Sequence, residues 1–197
     1  MPSFMTRYAC TLLLLISGFA ATGTQGDVPA QGAAPKVEEG AGPYNIDLDV
    51  AAGDDEERFL AVPGSAFTVK GFIQFVTVRE DPKWAPLAAI EVTGPKGGFY
   101  AGLIAFVLPR APDKIEFAVR DERLRGLPDA SFGRIHLTNQ AIPFELRLDR
   151  SGVLQASVMG TPGRAVSVRS LEISRVRLLG STGHVRFLNI EVAASDR

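Results

Sequence analysis

The chain has 197 residues, a formal net charge of −1, and a composition that is 46% hydrophobic and 22% charged. These values exclude general disorder, and they exclude an overall electrostatic attraction to nucleic acid or anionic lipid. A length of this order supplies one domain whose core stands without a metal or disulfide staple.

Met1 to Gly26 has the three parts of a secretory signal: Arg7 in a positive start, the apolar run Leu12–Ile16, and small residues from Ser17 onward, with cleavage expected near 20–26. The apolar run is shorter than the ~20 residues a membrane anchor needs, and no later stretch reaches that length. Cys10, the one cysteine, lies inside this segment. The mature chain is therefore expected to be cysteine-free, periplasmic or secreted, and without a membrane span. Asp27 to Pro43 is rich in Gly, Ala, Pro and Glu and has no apolar period, which predicts a flexible linker over 27–43. Residues 44–197 then form a single domain.

Period-2 patterns dominate that domain. Ile46, Leu48 and Val50 alternate with Asp47 and Asp49. Phe67 to Val78 is rich in Phe, Val, Ile and Thr, and Ile90 to Thr93 is a short apolar run. Phe99 to Leu108 is apolar on both faces, as a central covered strand is. Ile115, Phe117 and Val119 form the next alternating set, and Asp121 to Ala130 is expected to hold a short helical turn. Phe144, Leu146 and Leu148 precede "DRSG" (Asp149 to Gly152), a hairpin turn signal, and Val153 to Val158 follows it. Val166 to Leu179 alternates with slips near Ser170 and Ser174, which predicts bulges there, and Val185 to Val192 reads as the last strand. Roughly ten strands punctuated by 20 Gly and 13 Pro predict an antiparallel β-sandwich.

Two segments carry a family resemblance. "PFELRLDRSGVLQASVMG" (Pro143 to Gly160) resembles the strand–turn–strand of concanavalin A-like, laminin-G-like jelly rolls, and "GSTGHVRFLNIEV" (Gly180 to Val192) resembles their closing strand. The resemblance implies a jelly-roll sandwich of the lectin and glucanase superfamily. The glucanase members usually show "E-x-D-x-x-E" on one strand, and this chain has no such string.

Candidate sites follow from residue chemistry. Trp84, in the turn-rich "REDPKWAP", suits stacking against a sugar ring, with Tyr44 and Tyr100 as companions. Glu116, Glu145, Glu172 and Glu191 all lie on expected strands, and a glycosidase needs two carboxylates facing one groove. The stretch "AAGDDEER" is acidic enough for Asp54, Asp55 and Glu57 to line a calcium loop, although it lacks the EF-hand spacing, and no other cofactor is indicated. His136 and His184 read as ordinary strand residues, and Ser181 near His184 lacks a nucleophile elbow. Between Asp27 and Pro109 there are 6 Lys+Arg and 12 Asp+Glu, and beyond Pro109 there are 14 and 10. The expectation is that the halves interleave and pair their charges, with a basic face for an anionic glycan or headgroup as the alternative.

The sequence therefore supports an exported, non-catalytic binding module for a glycan or cell-envelope component. The alternatives are a small polysaccharide hydrolase or lyase, or a structural assembly protein whose edge strands pair with a partner. Nucleic acid is not an expected partner.

Overall fold

Alternation of wet and dry side chains places most of the described residues on strands. The computed structural model describes residues 37–38, 42–95, 100–124, 130–169 and 171–195, all within the unit Ala34–Arg197. The export signal read at residues 1–26 lies outside the described residues, as do the linker residues 27–36 and 39–41.

In chain order the strands are β1 (Val37–Glu38), β2 (Tyr44–Ala61), β3 (Phe67–Val78), β4 (Leu87–Thr93), β5 (Tyr100–Leu108) and β6 (Ala111–Asp121). They continue as β7 (Ala130–His136), β8 (Ile142–Leu148), β9 (Val153–Val158), β10 (Thr161–Pro162), β11 (Val166–Ser167) and β12 (Arg175–Ala194). The helical turn expected in 121–130 is a 3-10 turn at Glu122–Leu124. Among the described residues, no helix is long and apolar enough to cross a membrane.

Two long strands organise the rest. β12 pairs antiparallel with β2 over almost its whole length, with register shifts between Ser181 and Gly183 and between Phe187 and Ile190. On its other side, residues 175–181 of β12 pair with β4, and residues 183–194 pair with β3. One sheet therefore runs β2–β12–β4–β5–β6–β7 and the other β2–β12–β3–β8–β9–β10, with β11 also on β9. The β2–β12 ladder changes sheets near Thr182, which is buried at a positive φ of 53°. The Thr182 hydroxyl accepts from the Gly53 amide at 3.4 Å, its carbonyl accepts from the Arg79 amide at 3.1 Å, and Ser181 Oγ donates to the Asp54 carbonyl at 3.0 Å.

The core lies between the layers. Phe67, Ile73, Leu146, Leu154, Val185 and Phe187 of the second sheet face Leu60, Ile90, Leu103, Ile115, Phe117 and Leu178 of the first. At one flank Arg123 ties the layers together, holding both oxygens of Asp121 at 2.7–2.8 Å while donating to the Ser167 carbonyl at 2.6 Å.

Several expectations from sequence are corrected. The acidic stretch 54–57 is not a loop, because β2 runs straight through it against β12. Val166 to Leu179 is not one bulged strand: β11 ends at Ser167 and β12 begins at Arg175. The last strand is 20 residues long rather than eight, so His184 lies inside it. Within the expected linker, Val37–Glu38 pairs in parallel with Phe59 and Leu60. The "DRSG" turn forms as read: the Gly152 amide donates to the Asp149 carbonyl and the Val153 amide to Asp149 Oδ1, at 3.0 and 2.9 Å.

The bulge of β12 between Leu188 and Glu191 presses onto β3 at Gly71, where an added Cβ would lie 2.4 Å from Ile190 Cδ1 and 2.9 Å from the Leu188 carbonyl. Gly71→Ala is expected to cost about 1–3 kcal/mol through this overpacking. A fall in the urea midpoint checks it; an unchanged midpoint would show that the bulge yields freely.

Candidate functional site

The two sheets carry different chemistry on the faces turned away from the core. On the first sheet, cross-strand neighbours bring Arg177 of β12, Glu91 of β4, Gly102 of β5 and Arg120 of β6 into one row. Glu91 is fully buried, and its Oε2 accepts from Arg177 Nη2 at 2.5 Å. Arg177 Nη1 reaches Glu57 Oε2 at 3.3 Å, and its guanidinium lies 3.3 Å from the centroid of the Tyr100 ring. Arg120 Nη1 reaches Glu91 Oε1 at 3.5 Å although β5 lies between them. Only glycine at position 102 leaves that path open, since a Cβ there would sit 2.2 Å from the Ile90 carbonyl. The result is a ladder of alternating sign. Burial opposes the charge on Arg177, yet Glu91 beside it holds the guanidinium above its ordinary pKa. Beside the ladder the same face carries the apolar set Ala89, Ile104, Ala118 and Leu179.

The outer face of the second sheet is open. Glu191 of β12, Lys70 of β3, Glu145 of β8 and Ser157 of β9 stand in one row, and Ala193, Thr68, Arg147 and Gln155 stand in the next. These rows line a groove of about 430 Å³, which continues past Glu145 and Arg147 into a second hollow of about 230 Å³. Lys70 Nζ lies 3.4 Å from Glu145 Oε2, and both side chains are well exposed. Such a pair is worth no more than about 1 kcal/mol, so an incoming ligand displaces it easily. Along the neighbouring row, Leu188, Phe72 and Pro143 cross the same strands in register, about 7 Å from the polar row. Polar and apolar strips thus lie side by side on one rigid surface.

No family model matches the chain, and no curated protein matches it in sequence. Solved structures do match in shape. The potassium-bound carbohydrate recognition domain of Emp46p superposes with a TM-score of 0.53 at 11% identity, over 76% of this chain and 82% of that one. A sialidase gives 0.53 at 9% identity, over 77% of this chain. The fold is a concanavalin A-like jelly roll. An alginate lyase from Pseudomonas aeruginosa also matches, with a TM-score of 0.48 at 13% identity over 66% of this chain. The matched chain spans 65% of that lyase and 15% of the sialidase. At such identities the likeness is one of fold.

Within this jelly roll the aromatic residues singled out from sequence are not brought together. Trp84 is 59% exposed and held beside Gly53 by Asp81, whose Oδ1 accepts from the amides of Lys83 and Trp84 at 2.8 and 2.9 Å. Tyr100 sits at the other end of the β4–β5 pair, about 20 Å away by strand rise, stacked on Arg177. Tyr44 starts β2 and packs against the core. Asp54, Asp55 and Glu57 lie along β2, with Glu57 committed to Arg177, and no group of three His, Cys, Asp or Glu suited to a metal ion occurs among the described residues.

The carboxylates separate clearly. Glu116 is on the first sheet, where hydrogen bonds from Ser131 and from Arg134 hold it below the ordinary glutamate range. Glu172, expected on a strand, is instead exposed in the segment between β11 and β12, because the chain leaves the sheet at Ser167 and rejoins it at Arg175. Glu145 and Glu191 share the groove. Ser181 and His184 do not pair: Ser181 bonds the Asp54 carbonyl and His184 Nε2 bonds Asp47 Oδ1. Burial opposes the charge on Asp47, but hydrogen bonds from His184 and Arg186 hold its pKa below the usual value. Sequence reasoning missed Thr68, Lys70, Phe72, Arg147, Gln155 and Ser157. Their signal was the wet half of three alternating strands, but only the register across β3, β8 and β9 shows that they share a face.

The ladder on the first sheet is a structural unit. Glu91→Ala leaves the Arg177 guanidinium buried with only the more exposed Glu57 as acid partner and is expected to cost up to about 3–5 kcal/mol, while replacing both Glu91 and Arg177 by apolar residues recovers most of that loss. Urea denaturation of the single and double variants checks this; a Glu91→Ala protein as stable as the parent would contradict it.

Proposed function

We propose that the protein is an exported, non-catalytic carbohydrate-binding module whose ligand lies in the groove of the second sheet. The observation that carries the proposal is the amphipathic pattern of that face: hydrogen-bonding side chains from adjacent strands beside the strip Leu188–Phe72–Pro143. A sugar ring presents the complementary pair of surfaces, an apolar ring face and a rim of hydroxyls. Side chains on paired strands are held in place, so little ordering cost is added on binding. The shared fold with a carbohydrate recognition domain supports the reading at the level of scaffold. Trp84 is a candidate for a separate contact at the sheet crossover, and the export signal would bring the protein to envelope or external glycans.

One observation favours a second reading, a small polysaccharide hydrolase. Glu145 and Glu191 line one groove with a single strand between them, about 10 Å by strand spacing, near the separation used by inverting glycosidases.

Glycan-array screening followed by calorimetric titration of the best oligosaccharide tests both. Phe72→Ala is expected to weaken binding about tenfold through lost apolar contact, with the oligosaccharide recovered intact. Binding unaffected by Phe72→Ala but lost in Trp84→Ala would move the site to the crossover. Cleavage of the oligosaccharide, abolished by Glu145→Gln or Glu191→Gln, would establish the hydrolase instead.

A further inference from the structure

We infer that the groove selects an acidic oligosaccharide, with Arg147 as the residue that reads its carboxylate. The inference rests on the groove being a glycan site and adds the class of glycan. Arg147 lines both the larger hollow and its continuation, so it stands at their junction. Among the described residues, its side chain forms no hydrogen bond and no ion pair, and its five N–H donors are free.

The charged neighbours define what Arg147 can do. Glu145 precedes it by two residues on β8 and faces the same groove, but Glu145 is engaged by Lys70. Asp149 follows it by two residues and feels its charge, but Asp149 Oδ1 is occupied by Ser151 Oγ and the Val153 amide. Glu191 lies across the sheet, in register with Lys70 rather than with Arg147. In its own row Arg147 is flanked by Thr68 and Gln155, which are neutral. Its planar fork is therefore unclaimed: the carboxylates along its own strand have other partners, and its neighbours across the strands are uncharged donors and acceptors. A carboxylate matches that fork bidentately, whereas a hydroxyl uses only one of its edges. Lys70 lies on the same face in the next row, but it stands between Glu145 and Glu191, so Arg147 is the cation left to meet a ligand carboxylate.

The test uses a matched pair of probes: an oligogalacturonate hexamer and the same hexamer with its carboxyl groups reduced to neutral alcohols. Calorimetric titration at low and high salt should show the acidic hexamer binding about tenfold to a hundredfold more tightly, with the advantage shrinking as salt rises. Arg147→Ala should weaken the acidic hexamer far more than the neutral one, so that the difference between them disappears, and Arg147→Lys should restore only part of it. Circular dichroism confirms that each variant folds. Equal binding of the two hexamers, or a preference for the acid that survives Arg147→Ala, overturns the inference and leaves the glycan site standing. Binding of other neutral glycans but neither hexamer does the same. Absence of binding by every glycan on the array removes the glycan site itself, and this inference with it.

Discussion

The antiparallel pairing of β2 with β12 is the constraint on which the molecule depends. Each strand belongs to both sheets, so one continuous ladder sets the position of both layers at once. The crossover holds because Thr182 accepts a left-handed backbone that L-residues rarely adopt, and its hydroxyl and carbonyl are both used. From that spine β4 is fixed on one side and β3 on the other. The groove is placed by the same pairing, since Lys70 stands opposite Glu191 only through the register of β3 on β12.

The two outer faces show why similar residues serve different ends. On the first sheet Glu91 and Arg177 are removed from water, and isolated charges there would be prohibitive. Each has been matched with a neighbour of opposite sign, and Tyr100 covers the guanidinium. The charges of this ladder are largely spent on one another. On the second sheet Lys70 and Glu145 keep their water, and Arg147 keeps its donors free. Their attraction for one another is weak, and that weakness leaves them available for exchange with a ligand.

Much of the fold was legible in the sequence because alternation along a strand is a local property. Phe67–Val78 was read with its bounds intact, the "DRSG" turn formed where Asp and Gly demanded it, and the double-sided apolar run ending at Leu108 is the covered strand β5. The errors lie where a strand bends or carries charge. "GDDEER" reads as a loop because acidic residues favour water, yet β12 offers that stretch a complete ladder of partners and it stays extended. The site was less legible. Glu145 and Glu191 were named, but their meeting depends on β3 lying between β8 and β12, and pairing across such sequence distances leaves no mark in the local pattern. The turn-rich setting of Trp84 points to an exposed ring, which it is, but says nothing about which surface that ring joins.

The unequal charge of the two halves has its explanation in the same topology. β2, β3 and β4 come from the acidic half, and each is flanked by a strand of the basic half. Asp47 meets Arg186, Glu57 meets Arg177, and Glu91 meets both Arg120 and Arg177. Interleaving turns a charge imbalance along the chain into pairing across the sheet. Several acids of β2 are thereby matched from the neighbouring strand. A wrong register between β2 and β12 would leave those acids facing apolar residues such as Leu178 and Val185, so the pattern of sign helps to select the register as well as to stabilise it. The groove escapes this mutual neutralisation at Arg147, the cation there without a paired acid among the described residues, which is where the chemistry of an acidic partner molecule can enter.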